Sequence, residues 1–148
     1  MDVLSLLRSK NRCLRKFLQA STEFLASAEE SETLPDVVEF GTRRDAILKA
    51  IDLYDRKISE AVALLPEARS PGQELPKELI DGIQAALDDK KALVHQILQV
   101  DDKILALIDA EKNRVLKDMA STQKQDEITR KFKSTWVPQS GEGVDEKL

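Results

Sequence analysis

A single cysteine, Cys13, leaves the chain without an internal disulfide or a cysteine-based metal site of its own, and this agrees with a reducing compartment. Glycine and proline are equally scarce, five of each in 148 residues. With aromatics at only 4%, too few turn formers and bulky strand formers remain for a sheet protein. No apolar run approaches the roughly 20 residues of a membrane span, and no secretory signal pattern opens the chain. Membrane insertion is not expected, and a cytoplasmic location is. Basic charge falls short as well, with 23 Lys and Arg against 27 Asp and Glu and a net charge of -4. Nucleic acid is therefore not expected as a partner, because phosphate binding needs a basic surface. No Gly-rich phosphate loop, metal-ligand spacing or nucleophile with a base is found. No catalytic residue, cofactor or metal is predicted, and the chain does not read as an enzyme.

What the sequence has is charge, 34% of residues, interleaved with apolar residues at helical spacing. The fold class is all-α: an elongated antiparallel helical bundle of three long helices and a short C-terminal helix, with coiled-coil-like packing. The longest stretch, Pro76 to Met119, organises the rest. With Ile80 as heptad position a, the a sites are Ile80, Leu87, Val94, Asp101, Ile108 and Val115, and the d sites begin Ile83, Lys90, Ile97 and Ile104. Leu79, Leu93, Val100 and Leu107 fall at g, and Leu98, Leu105 and Met119 at e. This stripe is wider than a two-helix seam requires, so the helix should meet more than one neighbour.

The bundle domain is expected over residues 1–134, with a break near 29–35, a loop at 66–75 and a kink near 120–125. The first helix, Val3 to about Ala28, carries Val3, Leu7, Leu14, Phe17, Phe24 and Ala28 on one side, with Arg8, Lys10, Arg12, Arg15 and Lys16 in its first half. This basic set reads as a solvated face or as a surface for an acidic partner. Thr33-Leu34-Pro35-Asp36 marks the start of the second helix, with Thr33 as N-cap candidate and Asp36 in the first turn. That helix carries Val37, Phe40, Ile47, Ile51, Tyr54, Ile58, Ala61 and Leu65, and Gly41 weakens it by roughly 1 kcal/mol relative to alanine. Pro66, Pro71, Gly72 and Pro76 turn the chain back. Beyond Met119 the rhythm lapses at Ala120-Ser121-Thr122-Gln123 and resumes at Ile128, Phe132 and Trp136, which predicts a separate fourth helix to about Ser134. Residues 135–148 read as a disordered tail.

Three residues invite a chemical reading. His95, the lone histidine, points away from the seam and could serve a histidine phosphotransfer domain, but His95-Gln96-Ile97-Leu98-Gln99 lacks the lysine and glycine of such sites. Asp101 falls on the apolar seam, where a carboxylate must be paired or hydrogen-bonded, and Arg43 or Arg44 of the second helix is the expected partner. Cys13 reads as a small hydrophobe.

The stretch from Leu93 to Ile108, with Ile97-Leu98, Asp101 and Ile104 at its centre, resembles the third helix of flagellar type III export chaperones of the FliT and FlgN kind. Arg43-Arg44-Asp45-Ala46-Ile47-Leu48 and the late aromatic Phe132 are similar to further features of that family, which commonly has Tyr where Phe132 stands. The resemblance covers roughly residues 36–135. It implies a non-enzymatic chaperone that binds a helical C-terminal region of an axial flagellar substrate, such as a filament cap or hook–filament junction protein. It further implies delivery of that substrate to the export apparatus, as a monomer or homodimer. The partner-binding residues would be Leu93, Ile97, Leu98, Val100, Ile104, Leu105, Leu107, Ile108 and Phe132. The rival reading is a structural coiled-coil subunit that self-associates through the same surface.

Overall fold

Apolar side chains at intervals of three, four and seven, with hardly a helix breaker between them, produce three helices. The computed structural model describes residues 2–31, 33–68 and 75–136, apart from the side chains of 66–68 and 132–136. The helices are α1 (Val3–Glu30), α2 (Val37–Ala68) and α3 (Lys77–Trp136). The all-α bundle read from the sequence is what forms. The chain divides into two compact units, Met1–Leu107 and Ile108–Leu148.

Each helix begins where a side chain or carbonyl takes up its free amides. The Asp2 carboxylate accepts from the Ser5 amide at 2.7 Å and caps α1. That backbone bond holds the Asp2 carboxyl below its ordinary pKa. For α2 the cap is Asp36, not Thr33: its Oδ1 accepts from the Val38 and Glu39 amides at 3.0 and 3.1 Å. Thr33 is instead tied backwards, its amide donating to the Ser31 hydroxyl at 3.3 Å. Pro35 thus precedes the cap, where its missing donor costs nothing. The Pro76 carbonyl accepts from the Leu79 and Ile80 amides at 3.1 Å each, just ahead of α3. Helix α2 continues through Pro66 to Ala68, three residues into the expected loop, of which 69–74 lie outside the described residues.

Within residues 1–107 the cross-helix contacts give the directions. Lys10 pairs with Asp55 at 2.5 Å and Glu23 with Arg43 at 3.1 Å, so α2 runs antiparallel to α1. Asn11 Nδ2 donates to the Ala86 carbonyl at 2.9 Å and Arg15 pairs with Asp89, so α3 runs parallel to α1. The core at the centre is Leu14 and Phe17 from α1, Ile51 from α2, and Leu93 and Ile97 from α3, with Cys13, Leu18, Ile47 and Val94 packed around it. Each such side chain stabilises the fold by roughly 1.5–3 kcal/mol when fully buried.

The buried side of α3 is not the a/d seam. Ala86, Leu93, Ile97 and Ile104 are buried, which are g and d positions, whereas Ile80 and Leu87 at a stay exposed. The reason is that α3 has α1 on one side and α2 on the other, and the middle of that arc falls between g and d. Gly82 helps to admit α1, because a Cβ there would stand 2.9 Å from the tip of Leu4.

The two helical glycines therefore respond differently to alanine. A Cβ on Gly41 meets nothing within 4 Å, so Gly41→Ala should raise stability by about 0.5–1 kcal/mol through helix propensity. Gly82→Ala must displace Leu4 and should gain nothing. Urea unfolding of the two variants checks this; equal effects would mean that the crowding at Gly82 is relieved without cost.

Residues 108–136 contain no separate fourth helix: α3 is continuous to Trp136. No glycine or proline occurs between Ile83 and Val137, so nothing in the backbone chemistry stops the helix where its apolar rhythm lapses. Every described side chain from Lys112 to Lys131 is exposed, Val115, Leu116, Met119 and Ile128 among them. Arg114 bridges Glu111 at 2.6 Å and Asp118 at 2.9 Å along this segment, the one-turn ion pairing that supports a helix in water. The expected tail from residue 137 onward lies outside the described residues.

Candidate functional site

The residues singled out on α3 separate into two groups. Leu93, Ile97 and Ile104 are in the core, with Ile104 only 2% exposed, so these three hold the bundle together and present no surface. Leu98 and Leu105, at e, are each 58% exposed. Val100, Leu107 and Ile108 are half-buried, and the Phe132 side chain lies outside the described residues.

At 3.6 residues per turn, Ile80, Leu87, Leu98 and Leu105 project from one side of α3, because intervals of seven and eleven residues are close to two and three whole turns. All four are exposed. Along the helix axis this line covers roughly 37 Å, at 1.5 Å per residue. Its inner border is Val94, which packs on the core, and Asp101. This exposed aliphatic line is the candidate site: a strip able to bury the apolar face of one amphipathic helix, with no group that could perform covalent chemistry.

Behind it lies the polar feature that fixes the position of α3. The Arg44 guanidinium donates to Asp101 Oδ2 at 3.0 Å, as expected for the seam carboxylate, and the two side chains are 22% and 23% exposed. The guanidinium also lies 4.3 Å from the centroid of Phe17 and 5.0 Å from that of Phe40, over both rings. Phe40 in turn stacks on Phe24 at 4.1 Å and 15°. One side chain of α2 thereby touches an aromatic of α1 and a carboxylate of α3. Sequence reasoning found the pair but not the aromatic bed, although phenylalanines seven apart on the first helix, with Phe40 and Arg44 one turn apart on the second, are a signal of it. Asp101 Oδ1 and the Ser21 hydroxyl are buried without a hydrogen-bond partner among the described residues.

His95 is exposed, with Nε2 3.3 Å from the side-chain nitrogen of Gln99. Cys13 is half-buried against the core. No described helix is long and apolar enough to cross a membrane. Compared with family models, with curated proteins and with solved structures, the chain gives no match.

Proposed function

We propose that this chain is a chaperone for helical protein segments, of the kind that serves flagellar type III export. It would hold the amphipathic C-terminal helix of an axial protein, such as a filament cap or hook–filament junction protein, until delivery to the export apparatus. The observation that carries the reading is the exposure of Leu98 and Leu105 in line with Ile80 and Leu87 on a helix whose other side is already buried. A helix-in-groove partner needs anchors at this spacing, and aliphatics beyond those the core requires are costly to leave in water unless something covers them. The sequence resemblance from Leu93 to Ile108 supplies the class of guest.

The test is the double substitution Leu98→Asp with Leu105→Asp. Because both side chains are largely exposed, stability should change by no more than about 1 kcal/mol, while co-purification of the chain with an axial flagellar protein is lost. Unfolding of the bundle by the double variant would place both leucines in the core and end the reading. A self-associating coiled-coil subunit is the second reading, favoured by the exposed Val115, Leu116 and Met119. Light scattering during size exclusion separates the two: the chaperone reading expects a monomer or dimer that takes up one axial protein, the structural reading a larger assembly of copies of this chain alone.

A further inference from the structure

On a different face of α3 from the aliphatic line, the first halves of α1 and α3 leave an open cleft of about 470 Å³ between them. The α1 wall carries Arg8, Arg12 and Arg15, and the α3 wall Gly82, Ala85 and Asp89. The cleft exists because the α3 wall is small, and its base is closed by the buried Asn11, bonded to the Ala86 carbonyl. We propose that this cleft is a docking site for an acidic peptide segment of a protein partner.

Three observations carry the proposal. Two basic groups of α1 have acidic partners: Lys10 is held by Asp55 and Arg15 by Asp89. Arg8 and Arg12 have no carboxylate within ion-pair distance among the described residues, and the Arg12 guanidinium donates only to the neutral Ser9 hydroxyl, at 2.8 Å. Two like charges one turn apart destabilise a helix, and an anion between them would remove that repulsion. These two charges stand at the mouth of one cleft in a chain whose acids outnumber its bases, 27 to 23, and with Arg15 they outweigh Asp89, so the cleft has a local field of opposite sign to the molecule's net charge.

The chemistry of the walls selects a peptide carboxylate over a nucleic acid. Guanidinium groups match a carboxylate with two parallel hydrogen bonds. Asp89, in the opposite wall and paired with Arg15, can accept the amide hydrogens of a peptide main chain, donors that a phosphodiester backbone does not offer. Gly82 and Ala85 let a main chain approach closely. The volume lies within the roughly 300–1,000 Å³ common for binding pockets, large enough for a few residues.

The experiment is a titration of the isotope-labelled full chain, followed by amide NMR, with a capped hexaglutamate peptide. Capped hexaglutamine, inorganic phosphate and a six-residue oligothymidylate are the comparison probes. Hexaglutamate should shift the amides of Arg8, Arg12 and Ala85 saturably, and hexaglutamine should not. Arg8→Gln with Arg12→Gln should weaken the binding at least tenfold. Ala85→Leu, which fills the cleft and keeps both charges, should weaken it too, with helicity unchanged in both variants. The proposal is overturned by an absence of saturable shifts, by hexaglutamate binding that neither variant weakens, or by phosphate or oligothymidylate binding at the same residues as strongly as the peptide.

Discussion

Replacing Phe17 by alanine should lower the unfolding free energy of residues 1–107 by about 3–5 kcal/mol, the range for deleting a buried aromatic ring. Phe17 is 5% exposed and belongs to the cluster with Leu14, Ile51, Leu93 and Ile97, so its removal opens a cavity that all three helices line. It also removes the ring over which Arg44 lies at 4.3 Å. A loss of this size is a large part of the 5–15 kcal/mol that holds an ordinary domain together. Phe17→Leu retains most of the apolar volume but not the ring face, so the difference between the two variants separates packing from the cation–π contact, which is worth roughly 0.5–2 kcal/mol. Urea unfolding followed by far-ultraviolet circular dichroism measures both. A cost below about 1 kcal/mol for the alanine variant would remove Phe17 from the core.

Arg44→Ala is expected to cost about 1–3 kcal/mol. Breaking a fully buried pair from one side costs roughly 3–5 kcal/mol, and solvent reaching the pair reduces that, since Arg44 and Asp101 are 22% and 23% exposed. The loss arises from leaving the half-buried Asp101 carboxylate without its cation; its Oδ1 is already unbonded among the described residues. Asp101→Ala should be damaging by the same logic, whereas Asp101→Leu fills the space and recovers part of the cost. Arg44→Met with Asp101→Leu should be close to neutral, because two charges no longer need to be drawn out of water. A double-mutant cycle on urea midpoints measures the coupling. Negligible effects of both single alanine changes would show that water, not the partner, satisfies each group.

The helices were legible because their signal is local. Spacings of three, four and seven, with a break near 29–35 and prolines around 66–76, require nothing from the tertiary structure to be read. The side of α3 that faces inward was not legible in the same way. Aliphatics occupy a, d, e and g, so periodicity gives a broad stripe but not its centre, and a two-helix heptad places that centre at a/d. With two partner helices the centre shifts towards g and d. Ile80 and Leu87 are consequently outside, and Leu93, assigned to partner binding, is inside. The same ambiguity explains why Ile97 and Ile104, at d, and Leu98 and Leu105, at e, were all assigned to partner binding although only the second pair is exposed: the whole set is aliphatic, and only the direction of each side chain distinguishes them.

The separate fourth helix expected after residues 120–125 teaches a different lesson. Ala120-Ser121-Thr122-Gln123 interrupts the apolar pattern, but an apolar pattern reports what a helix packs against, not whether it is helical. Without glycine or proline the backbone has no reason to stop. Asp101 and Arg44 were legible as a pair because a carboxylate on an apolar seam has few ways to survive there. Phe17 and Phe40 beneath the guanidinium were not, since aromatic residues on amphipathic helices are ordinarily read only as core.

The exposed segment after residue 107 has a thermodynamic consequence. From Lys112 to Lys131 the helix rests on its own amide ladder and on ion pairs such as those of Arg114, and such a helix melts gradually, by fraying. Residues 1–107, locked by a shared core, lose their structure all at once. Heat therefore acts on two kinds of material in one chain, and the total helicity lost on warming is a sum over both. A single free energy of unfolding describes the first unit only; for the second, the meaningful quantity is a helical fraction that changes with every degree and every added salt ion.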